Sequence, residues 1–268
     1  MKKIFLCVIA LFSVLVVSAQ SEHQIQIWAD GEIADEDYKD AVLHCYLADN
    51  PNGKAIIAFP GGGYEYVCMS YEGWDFAPIF NKEGISLFVL NYRLPKGRYT
   101  VPMADAEKAM RIVRSHAAEW GINEIGIMGS SAGGHLATTL ATHYTDSITR
   151  PDFQILLYPV VSMEKMVTHL GSRNALLGNN PDQELVHKYS NEYHVTKDTP
   201  RAFIILSAGD KGVNPRNSLN YAQALVDNDV RVDLHMYEGG YHGFGSRESY
   251  SEYGQWTGEL LYWLRKKK

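Results

Sequence analysis

Ile125-Gly126-Ile127-Met128-Gly129-Ser130-Ser131-Ala132-Gly133-Gly134-His135-Leu136 is the stretch that decides the fold. An apolar, β-branched run (residues 125–128) meets Gly129-Ser130-Ser131-Ala132-Gly133, which matches G-x-S-x-G. Residues 133–142 then read as a helix with small residues on its near side. In this strand–turn–helix setting the central serine is a candidate nucleophile. The turn must be sharp enough to lift the Ser131 hydroxyl out of the sheet, and side chains at Gly129 and Gly133 would obstruct it. The new helix also points its first N–H groups at any charge that develops there. Ser130 carries a second hydroxyl but lies one residue outside the elbow position.

A serine hydroxyl needs an adjacent base. On elbows of this type the partners follow the serine as an acid and then a histidine. Gly239-Gly240-Tyr241-His242-Gly243-Phe244 follows the last strand pattern, so His242 is the expected base. The other nine histidines lack that setting, although His135, four residues past Ser131, is placed to pack beside it. Asp210 follows the strand pattern at 202–206 through Ser207-Ala208-Gly209 and lies between Ser131 and His242 in chain order. It is the expected acid, ahead of Glu238 and Asp233. An oxyanion needs preorganised donors. Ala132 N–H is one. Pro60-Gly61-Gly62-Gly63-Tyr64, at the end of an early strand, supplies the other from Gly62 or Gly63.

The rest of the chain alternates in the same way. Strands are expected at 41–47, 55–59, 86–90, 125–128, 153–157, 202–206 and 230–237. Helices are expected at 105–117, 133–142, 217–227 and 256–265, the first with Ala106, Ala109, Met110 and Val113 on one face. Short apolar strands between helices predict an α/β fold with a mostly parallel central sheet and helices on both faces. Ligand sites in such sheets lie beyond the carboxyl ends of the strands, where all the motifs above fall. There is no internal repeat or long linker, so residues 20–268 read as one domain. The irregular stretch 162–200 is the place for a small lid.

The N-terminus reads as a signal peptide over residues 1–19. Lys2 and Lys3 precede an apolar run to Val17, and Val17-Ser18-Ala19 places cleavage after Ala19. The run is short for a membrane span, so a periplasmic or secreted chain is expected, with no span in its mature part. The 268 residues carry a net charge of -6, which leaves no basic footprint for nucleic acid. Cys45 and Cys68 remain after cleavage; export permits a disulfide between them, and two buried thiols are the favoured reading. No Cys or His spacing suits zinc, and no metal or cofactor is expected.

Together these motifs resemble the esterase branch of the α/β-hydrolase superfamily that includes bacterial acetylxylan esterases and related acyl-carbohydrate esterases. The matching pieces are Pro60-Gly61-Gly62-Gly63-Tyr64-Glu65-Tyr66, Asn91-Tyr92-Arg93-Leu94-Pro95, Gly129-Ser130-Ser131-Ala132-Gly133-Gly134-His135-Leu136, Ser207-Ala208-Gly209-Asp210-Lys211 and Gly239-Gly240-Tyr241-His242-Gly243-Phe244-Gly245. Pro60 stands where lipase-like relatives carry His, and Pro215 comes late after the acid. The resemblance implies the α/β-hydrolase fold and a metal-free Ser131-His242-Asp210 esterase. It implies an acylated carbohydrate, such as acetylxylan, as substrate. Tyr64, Tyr66 and Trp74 are candidates either for a sugar-stacking wall or for core packing. A feruloyl or general short-chain carboxylesterase would use the same three residues. A serine peptidase shares their order, and a binding module with a degenerate site is the remaining alternative. With His242 as base, hydrolysis of an aryl acetate is expected to slow as pH falls from about 8 to about 5, because protonation removes the imidazole lone pair. A flat rate profile over that range would remove His242 from the role.

Overall fold

The apolar runs become strands because both faces of the sheet are covered. The computed structural model of the chain describes residues 22–266; the expected signal peptide lies outside them. The strands are β1 (Glu22–Gln26), β2 (Val42–Tyr46), β3 (Lys54–Phe59), β4 (Ser86–Asn91), β5 (Glu124–Ser130), β6 (Gln154–Leu157), β7 (Ala202–Ser207) and β8 (Val232–Tyr237). Among the described residues they form one eight-stranded sheet in the order β1-β2-β4-β3-β5-β6-β7-β8. β1 and β2, and β2 and β4, pair antiparallel. Every other neighbouring pair is parallel. The helices are α1 (Ala77–Lys82), α2 (Thr100–Ser115), α3 (Ser131–His143), α4 (Leu170–Leu177), α5 (Gln183–Lys188), α6 (Arg216–Asp227) and α7 (Tyr253–Arg265).

Alternate residues of one strand feed two separate cores. Ala55, Ile57 and Phe59 of β3 pack with Ala109, Met110, Leu136, Leu140 and Tyr221 from α2, α3 and α6. Ile56 and Ala58 pack on the other side with Phe80, Trp256 and Trp263 from α1 and α7. A central strand therefore needs apolar residues at nearly every position. β1 breaks that pattern: Glu22-His23-Gln24-Ile25-Gln26 is polar because it forms an edge, so no apolar run announces it. α2 begins at Thr100, five residues before the expected start at 105, and accommodates Pro102 in its first turn, where an N–H has no helical partner. The stretch 162–200 holds α4, α5 and a short 3-10 turn at Asn191–His194. Its Met163, Leu176, Leu177 and Val186 join the core beside α3. Cys45 and Cys68 are buried free thiols.

A buried ion pair ties the start of the chain to the centre. Asp105 on α2 is fully buried. Its carboxylate accepts from Arg93 Nε at 3.0 Å, Arg93 N–H at 2.8 Å and Trp28 Nε1 at 2.6 Å. Arg93 Nη1 also reaches Asp35 at 2.8 Å. This cluster anchors the loop after β4, whose Tyr92 hydroxyl donates to Pro60 O at 2.7 Å. A guanidinium stripped of a buried partner keeps its desolvation cost, so Asp105→Ala is expected to lower the unfolding free energy by about 3 kcal/mol or more. Urea unfolding at neutral pH measures this. A loss below about 1 kcal/mol would place the pair among weak, solvated ones.

Candidate active site

β5 ends at Ser130 and α3 starts at Ser131 with no residue between them. The chain reverses within one residue, and Ser131 takes φ 52°, a left-handed conformation that costs a non-glycine residue about 1–2 kcal/mol. Two contacts hold it there. The Ser131 carbonyl accepts from Val160 N–H at 2.9 Å. Behind it, α3 lies so close to β3 that a β-carbon at Gly133 would sit 1.9 Å from the Phe59 carbonyl oxygen. Ser130 is fully buried in the sheet, whereas Ser131 borders an open cleft of about 350 Å³.

The other expected residues arrive from the ends of β7 and β8. Asp210 Oδ1 accepts from Gly212 N–H at 2.8 Å and Val213 N–H at 2.9 Å. Its Oδ2 stands 2.7 Å from His242 Nδ1, and His242 Nε2 stands 2.8 Å from Ser131 Oγ. With the carboxylate accepting the Nδ1 proton, the Nε2 lone pair is left to accept from the serine hydroxyl. The arrangement is chemically capable of moving a proton from Ser131 to His242 while Asp210 holds the ring. Gly62 and Gly63 line the same cleft. Ala132 lies in the first turn of α3, where an N–H has no helical carbonyl to meet. Gly61 N–H is already committed to Glu72 Oε2 at 2.8 Å, which leaves Gly62, Gly63 and Ala132 as the oxyanion candidates.

The structure divides the three candidate aromatics between core and cleft. Tyr64 is buried, and its hydroxyl meets His135 Nδ1 at 2.9 Å. His135 donates from Nε2 to Tyr189 O at 2.8 Å, and burial pushes its pKa down to about 4. It is a neutral tie between α3 and the glycine strip. Trp74 packs on His44 away from the cleft. Tyr66 alone of the three faces the cleft, 59% exposed. Sequence reasoning missed Tyr71, Glu72, His169 and Arg247, which line the cleft together with Glu65 and Gly243. The Arg247 guanidinium stacks on Tyr71 at 3.6 Å. His169 Nδ1 caps α4 by accepting Ser172 N–H at 3.2 Å. An Nδ1 that accepts leaves the proton of the neutral ring on Nε2, and burial lowers the ring's pKa. None of the four missed positions carries a motif, because only the chain's return to the cleft brings them together.

The comparisons agree with this architecture. A family model described as alpha/beta hydrolase fold matches residues 57–246. An acetylxylan esterase of Xylanibacter ruminicola is 38% identical over 231 residues, covering 84% of this chain and 48% of that protein. An endo-1,4-beta-xylanase B of Butyrivibrio fibrisolvens is 34% identical over 75% of this chain and 34% of its own length. The chain thus spans about half or less of these two relatives. The crystal structure of an acetyl ester-xyloside bifunctional hydrolase from Caldicellulosiruptor lactoaceticus superposes with a TM-score of 0.85 at 34% identity, covering 94% of this chain and 97% of that one. A sugar hydrolase from Lactococcus lactis gives 0.73 at 28%, covering 84% and 93%.

The strain at the turn is measurable. Ser131→Ala and Ser131→Gly both lack the hydroxyl and are expected to lose fluorophosphonate labelling. The glycine variant accepts φ 52° freely, and is expected to be about 1 kcal/mol more stable than the alanine variant. Equal stability of the two in urea unfolding would mean the turn is unstrained.

Proposed function

The chain belongs to the alpha/beta hydrolase family, and from that premise we propose that it is a serine esterase that removes acetyl or other short acyl groups from plant polysaccharide or oligosaccharide such as acetylxylan. The observation that carries the chemical part is the continuous relay Asp210 Oδ2–His242–Ser131 Oγ, with contacts of 2.7 and 2.8 Å. In this reading His242 takes the Ser131 proton as the oxygen attacks the ester carbonyl. Asp210 stabilises the imidazolium that results. Ala132 N–H and an amide of Gly62 or Gly63 hold the oxyanion, where fixed donors act without reorganising. As the ester bond breaks, His242 gives that proton to the departing sugar oxygen, which leaves as a hydroxyl, and then draws a proton from water. The hydroxide so formed attacks the acyl carbonyl, the bond to Ser131 Oγ breaks, and His242 returns the proton to that oxygen as the acid leaves.

The substrate class draws on different support. The relatives named for acetylxylan and acetyl ester-xyloside hydrolysis share 38% and 34% identity with this chain. The cleft is open and lined by Tyr66, Tyr71, His169 and Arg247. An exposed tyrosine ring and polar side chains around an open cleft suit a sugar better than a long acyl chain. Export to the periplasm or beyond follows from the leader read in the sequence. Among the described residues no helix is long and apolar enough to cross a membrane.

Acetate release from acetylated xylo-oligosaccharides, with an aryl acetate and Ser131→Ala alongside, tests the proposal. Release from the sugar at a rate rivalling the aryl ester, lost in the variant by about three orders of magnitude or more, is the expected result. Cleavage of the aryl acetate alone would keep the three residues and reject the carbohydrate. Loss of less than tenfold in the variant would reject Ser131.

A further inference from the structure

Acyl transfer as described above makes no use of Glu72, yet this side chain is buried at the edge of the cleft, 4% exposed. Its carboxylate joins two segments that reach Ser131 from opposite ends of the chain. Oε2 accepts from Gly61 N–H at 2.8 Å, at the head of the glycine strip. Oε1 accepts from the Tyr158 hydroxyl at 2.7 Å. That hydroxyl in turn accepts from Gly245 N–H at 2.9 Å, three residues past His242. The Tyr158 ring stands edge-on to the His242 ring, 4.9 Å between centroids. Space is tight around Gly61: a β-carbon there would lie 2.6 Å from Glu72 Oε2 and 2.9 Å from Ser131 Cβ.

We propose that Glu72 is a positioning residue of this site: its carboxylate, accepting at both oxygens, holds the strip at residues 61–63 and, through Tyr158, the turn at residues 243–245 at fixed spacing around Ser131. The assignment rests on the reading of Ser131 and His242 given above. Both hydrogen bonds run into the carboxyl group, as suits a carboxylate. The Tyr158 O–H donates to Glu72, and its oxygen accepts from Gly245 N–H. A glutamine that kept the Gly61 bond would turn its NH2 toward a hydroxyl oxygen already receiving Gly245 N–H. The chain of bonds would lose its polarity.

A carboxylate is an expensive tie. No ion pair within 4.0 Å compensates it among the described residues, and burial pushes its pKa up. The groups whose charge bears on Glu72 or is shifted by it are Tyr158, His242, Arg247, Cys68, Tyr71 and Tyr92. The stability consequence has a definite sign. Because the folded pKa is raised above the ordinary value of 4.5, the native state binds more protons than the unfolded one above that value. Stability is therefore lost as pH rises through the folded pKa. A residue kept only for the fold would be better served by a neutral amide.

Glu72→Gln and Tyr158→Phe, alone and combined, test the assignment with an aryl acetate as substrate. For Glu72→Gln the expected result is a fall in kcat of about tenfold or more with KM changed by less than about threefold. Its Tm is expected to equal or exceed that of the wild type at about pH 8, with a margin that shrinks toward about pH 5. Tyr158→Phe is expected to lower kcat likewise, and the double variant to be no worse than the poorer single one, since both cut one chain of bonds. A Glu72→Gln enzyme within about twofold of wild-type kcat would overturn the proposal, as would losses that multiply in the double variant. So would a loss of activity matched by a lower Tm at every pH. Should Glu72→Gln not fold, a wild-type kcat in Tyr158→Phe overturns it and a lowered kcat at unchanged KM supports it. A wild-type chain that neither takes a fluorophosphonate nor cleaves the aryl acetate would overturn the serine esterase reading itself and this assignment with it.

Discussion

The close approach of α3 to the end of β3 is the constraint on which the site depends. Gly133 abuts the Phe59 carbonyl with no room for a side chain, and the chain leaves β5 for α3 without a connecting residue. That geometry forces Ser131 into a left-handed conformation. It also brings the first turn of α3 against the strip that follows β3. The hydroxyl, the helix N–H groups and the glycine strip therefore converge for one steric reason. The strain is sustained because the surrounding core, apolar on both faces of the sheet, over-determines the backbone path.

Around that turn several polar groups are buried against a partner. His135 joins Tyr64 to Tyr189. Tyr92 supports Pro60, and the loop that carries it is fixed by Arg93 and Asp105. Each buried group is costly alone and tolerable with its partner. The result is a strip at residues 60–64 held from several directions. The catalytic reading needs such rigidity, because donors must already be in place when charge develops. Tyr158 shows the same economy: one side chain, at φ 37°, touches Glu72, Gly245, Phe244 and His242.

The cleft is built differently from the turn beneath it. Its floor is backbone and small residues, while its rim is made of exposed or half-buried side chains from loops. Tyr66 follows β3, Tyr71 precedes α1, His169 begins α4 and Arg247 follows β8. Loops on a rigid sheet are where a shared chemistry is matched to different substrates. That division explains why the relay is common to the whole reading, whereas the choice of sugar ester rests on the rim and on the relatives.

The pattern of apolar runs and helices was legible in the residues because buried parallel strands must be apolar throughout. The elbow was legible because a steric rule demands glycine beside the serine. His242 and Asp210 were legible through chain order and strand-end position. The edge strand β1 was hidden, since an exposed edge needs no apolar pattern. Tyr64 and Trp74 show the limit for aromatics: a tyrosine two residues from another faces the core or the cleft according to turns that composition does not encode. Glu72, Tyr158, His169 and Arg247 depend on the tertiary structure for their place, because they meet Ser131 only where loops far apart in the chain come together above the sheet. The amino-acid sequence determined by itself which local turns and faces form, since those follow from sterics and burial between near neighbours. Which distant side chains share the cleft was decided by the tertiary structure, since that depends on how the loops cross the carboxyl ends of the strands.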